Sequence, residues 1–222
     1  MVLARPKSLK ELALENLRDS IVNGTLEMGE ALSERKISES LGVSKSPVRE
    51  ALAQLRDEGL VTIEPQKGAR VFTLSEEEVT QICDFRLAIE TAAFELAIQR
   101  NPDSLAKEMK AIVKDMQAAK KAGDTKSYLS LDTEFHQLIF KWSGNDYLDA
   151  SYSRYVGKIA ALRTHLSELP EHTSLSLQEH IDLANAVSEQ DLVKIRALLD
   201  QHIGRTRQSY ATSRIGAQQA AQ

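Results

Sequence analysis

Asp132 and His136 stand four residues apart in a segment of helical periodicity, which sets a carboxylate and an imidazole side by side on one face. Two more histidines fall in later helical segments among apolar neighbours: His180 beside Ile181 and Leu183, and His202 beside Leu198, Leu199 and Ile203. One aspartate and three histidines from three helices make a nitrogen and oxygen donor set able to close around a divalent cation. An inward histidine also serves as a hydrogen-bonded core residue, and only the packing of the three helices separates these readings. The single cysteine, Cys83, takes no part and reads as packing, as does Trp142. His165 and His172 lie off the pattern or near a loop and read as surface residues or supports.

Two arginines join this group. Arg86 falls in the apolar stripe of Ile82, Ile89 and Ala93, and Arg163 in that of Val156, Ile159 and Leu166, so both face a helical interior. A buried guanidinium needs an anionic partner. That partner is either a structural carboxylate, Glu90 or Asp132 for Arg86, or an anionic effector. Beside a metal with open positions, two inward arginines favour a small carboxylate effector.

A second constellation lies near the start of the chain. Ser44, Lys45, Ser46 and Arg49 open a helix that follows a shorter helix and a glycine turn at Gly42. Lys45 and Arg49, four apart, point off the face opposite Val48, Ala51 and Leu55. This is helix-turn-helix geometry, in which the N-terminus of the second helix meets base edges and phosphates in the major groove. Arg35 on the preceding helix reaches the same groove. The strand-like runs Leu60–Ile63 and Ala69–Thr73 flank a basic tip, Lys67-Gly68, and form a two-stranded hairpin suited to lie on the adjacent backbone or minor groove.

These groups need elements to hold them. Leu9, Leu12, Leu14, Leu17 and Ile21 mark a first helix ending near Asn23-Gly24; Ser33 caps a second through Leu41; a third opens at Ser44 or Ser46 and stops at Gly59. From Ser75, with Glu76, Glu77 and Glu78 in an acidic first turn, the chain reads as six helices over 75–99, 102–122, 124–142, 146–167, 173–188 and 190–210. Short links between them favour an antiparallel bundle. The fold class is therefore mainly α: an N-terminal winged helix-turn-helix over 1–74 and an all-α antiparallel bundle over 75–212, with 213–222 as a disordered tail. The chain carries a net charge of −4, yet residues 1–74 hold 11 basic and 11 acidic side chains, so a DNA surface must come from placement of charge rather than its total. A lone cysteine, no secretory pattern and no long apolar run read as a cytoplasmic protein without a membrane role.

The run Gly42-Val43-Ser44-Lys45-Ser46-Pro47-Val48-Arg49-Glu50-Ala51-Leu52, followed by Leu55, Glu58-Gly59-Leu60-Val61, Gly68 and Val71, closely resembles the DNA-binding domain of the GntR family of bacterial regulators. The likeness covers about Leu17 to Thr73. It implies that Arg35, Lys45, Ser46, Arg49 and the tip Lys67-Gly68 touch a short palindromic operator in double-stranded DNA, read by a homodimer. Lys45 stands where many members carry arginine, which loosens base readout there. Glu76 to Gln208 resembles the FCD ligand-binding domain of the FadR-type branch, through Arg86-x-x-x-Glu90, Asp132-x-x-Phe135-His136, Asn145-x-x-Leu148, Glu179-His180 with Ala184 and Ala186, and His202. That likeness implies that Asp132, His136, His180 and His202 hold zinc, or else nickel or another transition metal. The rival, a metal-dependent helical-bundle enzyme, lacks a Glu-x-x-His pair for a second metal and leaves the winged domain unexplained.

Overall fold

Each helix start and stop follows from local chemistry. In the computed structural model, which describes residues 6–169 and 171–220, with side chains to 213, the chain divides into two compact units, Met1–Thr73 and Leu74–Gln222. In the first, α1 (Leu9–Val22) opens on a capping box, with the Ser8 hydroxyl accepting from Glu11 N–H and the Glu11 carboxylate accepting from Ser8 N–H. Ser33 caps α2 (Glu34–Leu41), and Gly42 ends it at φ 64°, a left-handed turn that a Cβ would strain. The third helix, α3 (Lys45–Asp57), starts after Ser44, whose side chain makes no capping bond and stays exposed. Leu14, Leu17 and Ile21 of α1 and Val48, Ala51, Leu52 and Leu55 of α3 are buried and form the core stripe of this unit. A two-pronged pair from Arg18 to Glu58, 2.9 and 2.7 Å, ties α1 to the end of α3.

The sheet has three strands where the sequence reading gives two. Strands β2 (Val61–Glu64) and β3 (Gly68–Val71) form the expected antiparallel hairpin, and β1 (Ala31–Leu32) adds to the other side of β3, with Ala31 opposite Arg70 and Leu32 opposite Ala69. Two residues carry no period that a pattern can register, and the pairing is set by tertiary contact, which buries Leu32 just before α2 begins. At the hairpin tip Gln66 (φ 65°) and Gly68 (φ 84°) take the left-handed conformation that turns the chain.

Every element described in the second unit is a helix: α4 (Glu76–Arg100), α5 (Pro102–Ala122), α6 (Thr125–Ser143), α7 (Asp146–Leu166), α8 (His172–Glu189) and α9 (Leu192–Ala220). A capping box at Ser75 and Glu78 starts α4, Pro102 starts α5 where its missing N–H costs nothing, and Asn145 caps α7 through two backbone N–H groups. The last helix runs on to Ala220, past the end at 210 and into the segment read as a tail. Ala217, Gln218, Gln219 and Ala220 are good helix formers, and they follow an anchored turn in which the buried Tyr210 hydroxyl donates to the Leu74 carbonyl. No described helix is long and apolar enough to cross a membrane.

Candidate metal centre and nucleic-acid interface

The inward stripe of α6 carries Tyr128, Asp132, Phe135, His136 and Ile139, all buried. The stripe of α8 carries Ser176, Glu179, His180 and Leu183, and that of α9 includes Leu199, His202, Ile203 and Thr206. Where the three stripes meet, His136, His180 and His202 bring one ligand nitrogen each to within 4.8 Å of one another, all buried. The Nε2 atoms of His136 and His180 lie 3.2 Å apart, and Asp132 sets Oδ1 4.0 Å from the first and Oδ2 3.9 Å from the second. Phe135 packs edge-on against the His180 ring at 4.5 Å.

The outer nitrogens are held by other groups. His136 Nδ1 lies 2.8 Å from Glu90 Oε2, and His202 Nδ1 lies 2.7 Å from Glu179 Oε2. His180 Nδ1 faces the Ser176 hydroxyl at 3.5 Å. A carboxylate beside Nδ1 assigns the proton to that nitrogen and leaves the Nε2 lone pair of His136 and His202 free for a cation, the arrangement that orients metal-ligating histidines. Each carboxylate is in turn fixed by an arginine. Arg86 Nε donates to Glu90 Oε1 at 2.7 Å, and Arg205 grips Glu179 with Nε to Oε1 at 2.8 Å and Nη2 to Oε2 at 2.6 Å.

Burial lowers the affinity of all three imidazoles for protons. His136 and His202 fall below the usual histidine range, and His180 falls to about 3 even though the Asp132 carboxylate opposes the shift. Neutral imidazole is the form that binds metal. Burial pushes the Asp132 carboxyl up, but the Arg163 guanidinium and the histidines outweigh it and hold the group ionised, well below the carboxylate range. The same balance brings Glu179 down to about 2, with the hydrogen bonds from Arg205 and His202 overcoming its burial.

The donor set fits a metal ion. Facing imidazole lone pairs and a buried carboxylate oxygen call for a cation between them, and Asp132 Oδ1 has no hydrogen-bond partner among the described residues. Arg163 Nε lies 3.0 Å from that oxygen but out of line for a hydrogen bond, and among the described residues neither Nη atom of Arg163 has a partner in good hydrogen-bond geometry, the buried Tyr152 hydroxyl beside it included. A cavity beside the cluster is lined by Tyr128, Asp132, Arg163, His172, Ser176 and Arg205, with about 10 Å³ of open volume. That is room for roughly one water.

All four ligands expected from the sequence therefore converge, and Arg163 joins them. Arg86 does not reach the cavity: it is buried against Glu90, the structural pairing that the sequence left open. Sequence reasoning gave no role to Arg205 or Ser176, weighed Glu90 only as a partner of Arg86 and not of His136, and left Glu179 as a motif letter. Their helical phase was the available signal, since Glu90 repeats the Arg86 face and Ser176 and Glu179 share the stripe of His180. His172, read as surface or support, is buried, with its Nδ1 3.0 Å from Arg205 Nη1. Glu179→Gln keeps the shape but weakens the acceptor at His202. We expect about 10–100-fold lower zinc affinity in a competition titration with a chelating dye, with helix content unchanged.

On the first unit, Arg35, Ser44, Lys45, Ser46 and Arg49 are exposed on α2 and the start of α3, and Lys67 and Gly68 on the hairpin tip. Three of the cations carry a carboxylate of their own: Arg49 Nε to Glu34 Oε2 at 2.6 Å, Arg35 Nη1 to Glu39 Oε1 at 3.1 Å, and Lys67 Nζ to Glu64 Oε2 at 2.8 Å. Ser46 Oγ donates to Glu50 Oε1 at 3.3 Å.

A winged helix-turn-helix joined to an all-helical unit with a polar cluster in its core is the architecture of a DNA-binding transcription regulator. The chain belongs to the GntR family: residues 9–71 match the model of the bacterial regulatory proteins of that family, and residues 81–205, more than half the chain, match the FCD domain. It is 31% identical over 192 residues to the gluconate operon transcriptional repressor of Bacillus subtilis strain 168, covering 84% of this chain and 77% of that one. It is 27% identical to the HTH-type transcriptional repressor RspR of Escherichia coli K12, over 84% of this chain and 82% of that one. Among solved structures, a GntR regulator from Rhodococcus sp. RHA1 superposes with a TM-score of 0.80 at 20% identity, over 92% of this chain and 99% of the other. E. coli McbR/YncC superposes with 0.77 at 22% identity, over 92% and 100%. These relatives are transcriptional regulators rather than enzymes, which removes the metal-dependent enzyme as a reading.

Proposed function

We propose that this regulator is a homodimer that binds a palindromic operator through α3 and the hairpin tip. A small carboxylate, bound at a divalent metal in the C-terminal unit, controls its operator affinity. Zinc suits the set of three imidazoles and one carboxylate best, with nickel or another late transition metal next. Asp132, His136, His180 and His202 would hold the ion, which would supply a Lewis-acid position for the carboxylate. Arg35, Ser44, Lys45, Ser46, Arg49, Lys67 and Gly68 would meet DNA, with the two recognition helices of the dimer about 34 Å apart, one duplex turn.

The observation that carries the reading is Arg163, buried 3.0 Å from Asp132 in the cavity lining, with neither terminal nitrogen in hydrogen-bond geometry to a carboxylate among the described residues. A guanidinium so placed favours a planar anion. Arg86, held by Glu90, becomes a positioning residue for His136 rather than a contact to the effector. The cavity is too small for an organic acid as it stands, so entry requires side chains such as His172 or Arg163 to move.

The test uses metal-loaded protein, operator fragments selected from a randomised pool, and gluconate as first probe, given the operon named for the Bacillus relative. We expect the probe to shift operator affinity about tenfold or more in the wild type. Arg163→Ala should keep its metal and lose that shift. Protein without stoichiometric metal whose His180→Ala variant responds normally would overturn the reading. The small cavity favours one second reading, in which the ion is itself the signal. Zinc alone would then switch operator binding of chelator-treated protein.

A further inference from the structure

The DNA-binding unit is neutral, with 11 basic and 11 acidic residues over 1–74, although its partner is a polyanion. The structure places three of those acids against the cations meant for DNA. The Glu34–Arg49 pair is the shortest of the three at 2.6 Å, and it alone joins α2 to α3. Glu34 is the first residue of α2, where the helix dipole and free N–H groups favour a carboxylate. It is only half-exposed, whereas Arg49 is 65% exposed. Glu34 therefore presents a partly shielded negative charge beside a more exposed positive one.

The pair engages Arg49 through Nε, and that choice of atom matters. Among the described residues no hydrogen bond engages the Arg49 terminal nitrogens, so they are the pair that can reach O6 and N7 of a guanine end-on. A phosphate, which takes a guanidinium from any side, gains less, because its approach to Arg49 also brings it towards the Glu34 carboxylate. We propose that Glu34 is a specificity-determining residue: it aims Arg49 at a base edge and discriminates against binding that uses phosphates alone. The proposal rests on the reading that α3 presents Arg49 to DNA.

Glu34→Gln removes the charge and keeps the size. Freed from its carboxylate, Arg49 should gain a phosphate contact on any sequence, and each such contact adds about 0.9 to the slope of log affinity against log salt and is worth about 8-fold at 0.1 M salt relative to 1 M. The measurement is fluorescence anisotropy of the full chain on a random-sequence 30-base-pair duplex and on the selected operator, over a salt series. We expect random-duplex affinity to rise about 5-fold or more, a steeper salt slope, and a fall in the ratio of operator to random affinity. Asp57→Asn, the same charge change at the C-terminal end of α3, is the control and should move random-duplex affinity less than about 2-fold. The proposal is overturned if Glu34→Gln leaves random-duplex affinity unchanged, even if operator affinity falls, or if Asp57→Asn matches it. Failure of the underlying reading looks different: Arg49→Ala would then bind the operator like wild type.

Discussion

Replacing His180 with alanine is expected to take the zinc content of the purified protein from about one ion per chain to near none. His180 is fully buried, with Nε2 3.2 Å from its counterpart on His136 and 3.9 Å from Asp132 Oδ2, so it sits between two other donors rather than at the edge of the set. Its removal leaves three donors for an ion that takes four in closed sites, and no described carboxylate or thiol stands near enough to substitute. Since weakening an outer support costs about 10–100-fold, loss of a direct ligand should exceed about 100-fold. Elemental analysis reads the loss directly, and thermal unfolding supplies an internal check. Added zinc should raise the wild-type midpoint, because the ion binds only the folded cluster, and should leave the variant unmoved. His180→Gln, closer in volume, guards against simple collapse of the core. A variant that keeps stoichiometric zinc would mean that the triad is not the site.

Operator binding should respond as strongly to Arg49→Ala. The side chain is exposed and, among the described residues, pairs only with Glu34, so its removal costs the fold about 1 kcal/mol at most. A lost two-pronged contact to guanine costs about 1–3 kcal/mol, or about 5–150-fold, for each recognition helix. Two such helices on one palindrome multiply the effect, so specific binding should vanish from an anisotropy assay while the circular dichroism spectrum and the sedimentation coefficient stay as in the wild type. Retention of operator affinity within about threefold would move the DNA-reading role away from α3.

The parts of this molecule legible in the sequence are those set by neighbours in the chain. Caps at Ser33 and Ser75, the glycine stop at Gly42 and the four-residue step from Asp132 to His136 are local, and each was readable before any packing was known. The two residues of β1 were not, because they pair with residues of β3 that lie far along the chain, Ala31 with Arg70 and Leu32 with Ala69. Nor was the partner of Arg86, since Glu90 and a bound anion satisfy the same apolar stripe equally well on paper. Arg205 is the clearest case. Its sequence context marks a surface helix residue, and its role appears only when α8 brings Glu179 against α9 and binds both His202 and Arg205 to one carboxylate. Such roles depend on the registration of one helix against another, which no single helix encodes.

The charges around the three imidazoles cancel. Arg86 is matched by Glu90, Arg205 by Glu179 and Arg163 by Asp132, and burial keeps the histidines neutral. A dication placed in that shell would carry its full double charge into a region of low polarisability, where an unbalanced ion is costly. Electroneutrality then makes the ion and an anion obligate companions, either a hydroxide and a monocarboxylate or a single doubly charged acid. Linkage runs in both directions, so a carboxylate that binds at the cluster would also tighten the binding of the metal. In a chelator-buffered titration, the apparent zinc affinity of this protein should therefore climb with the concentration of the proposed carboxylate effector, by the same factor by which zinc raises the affinity for that acid.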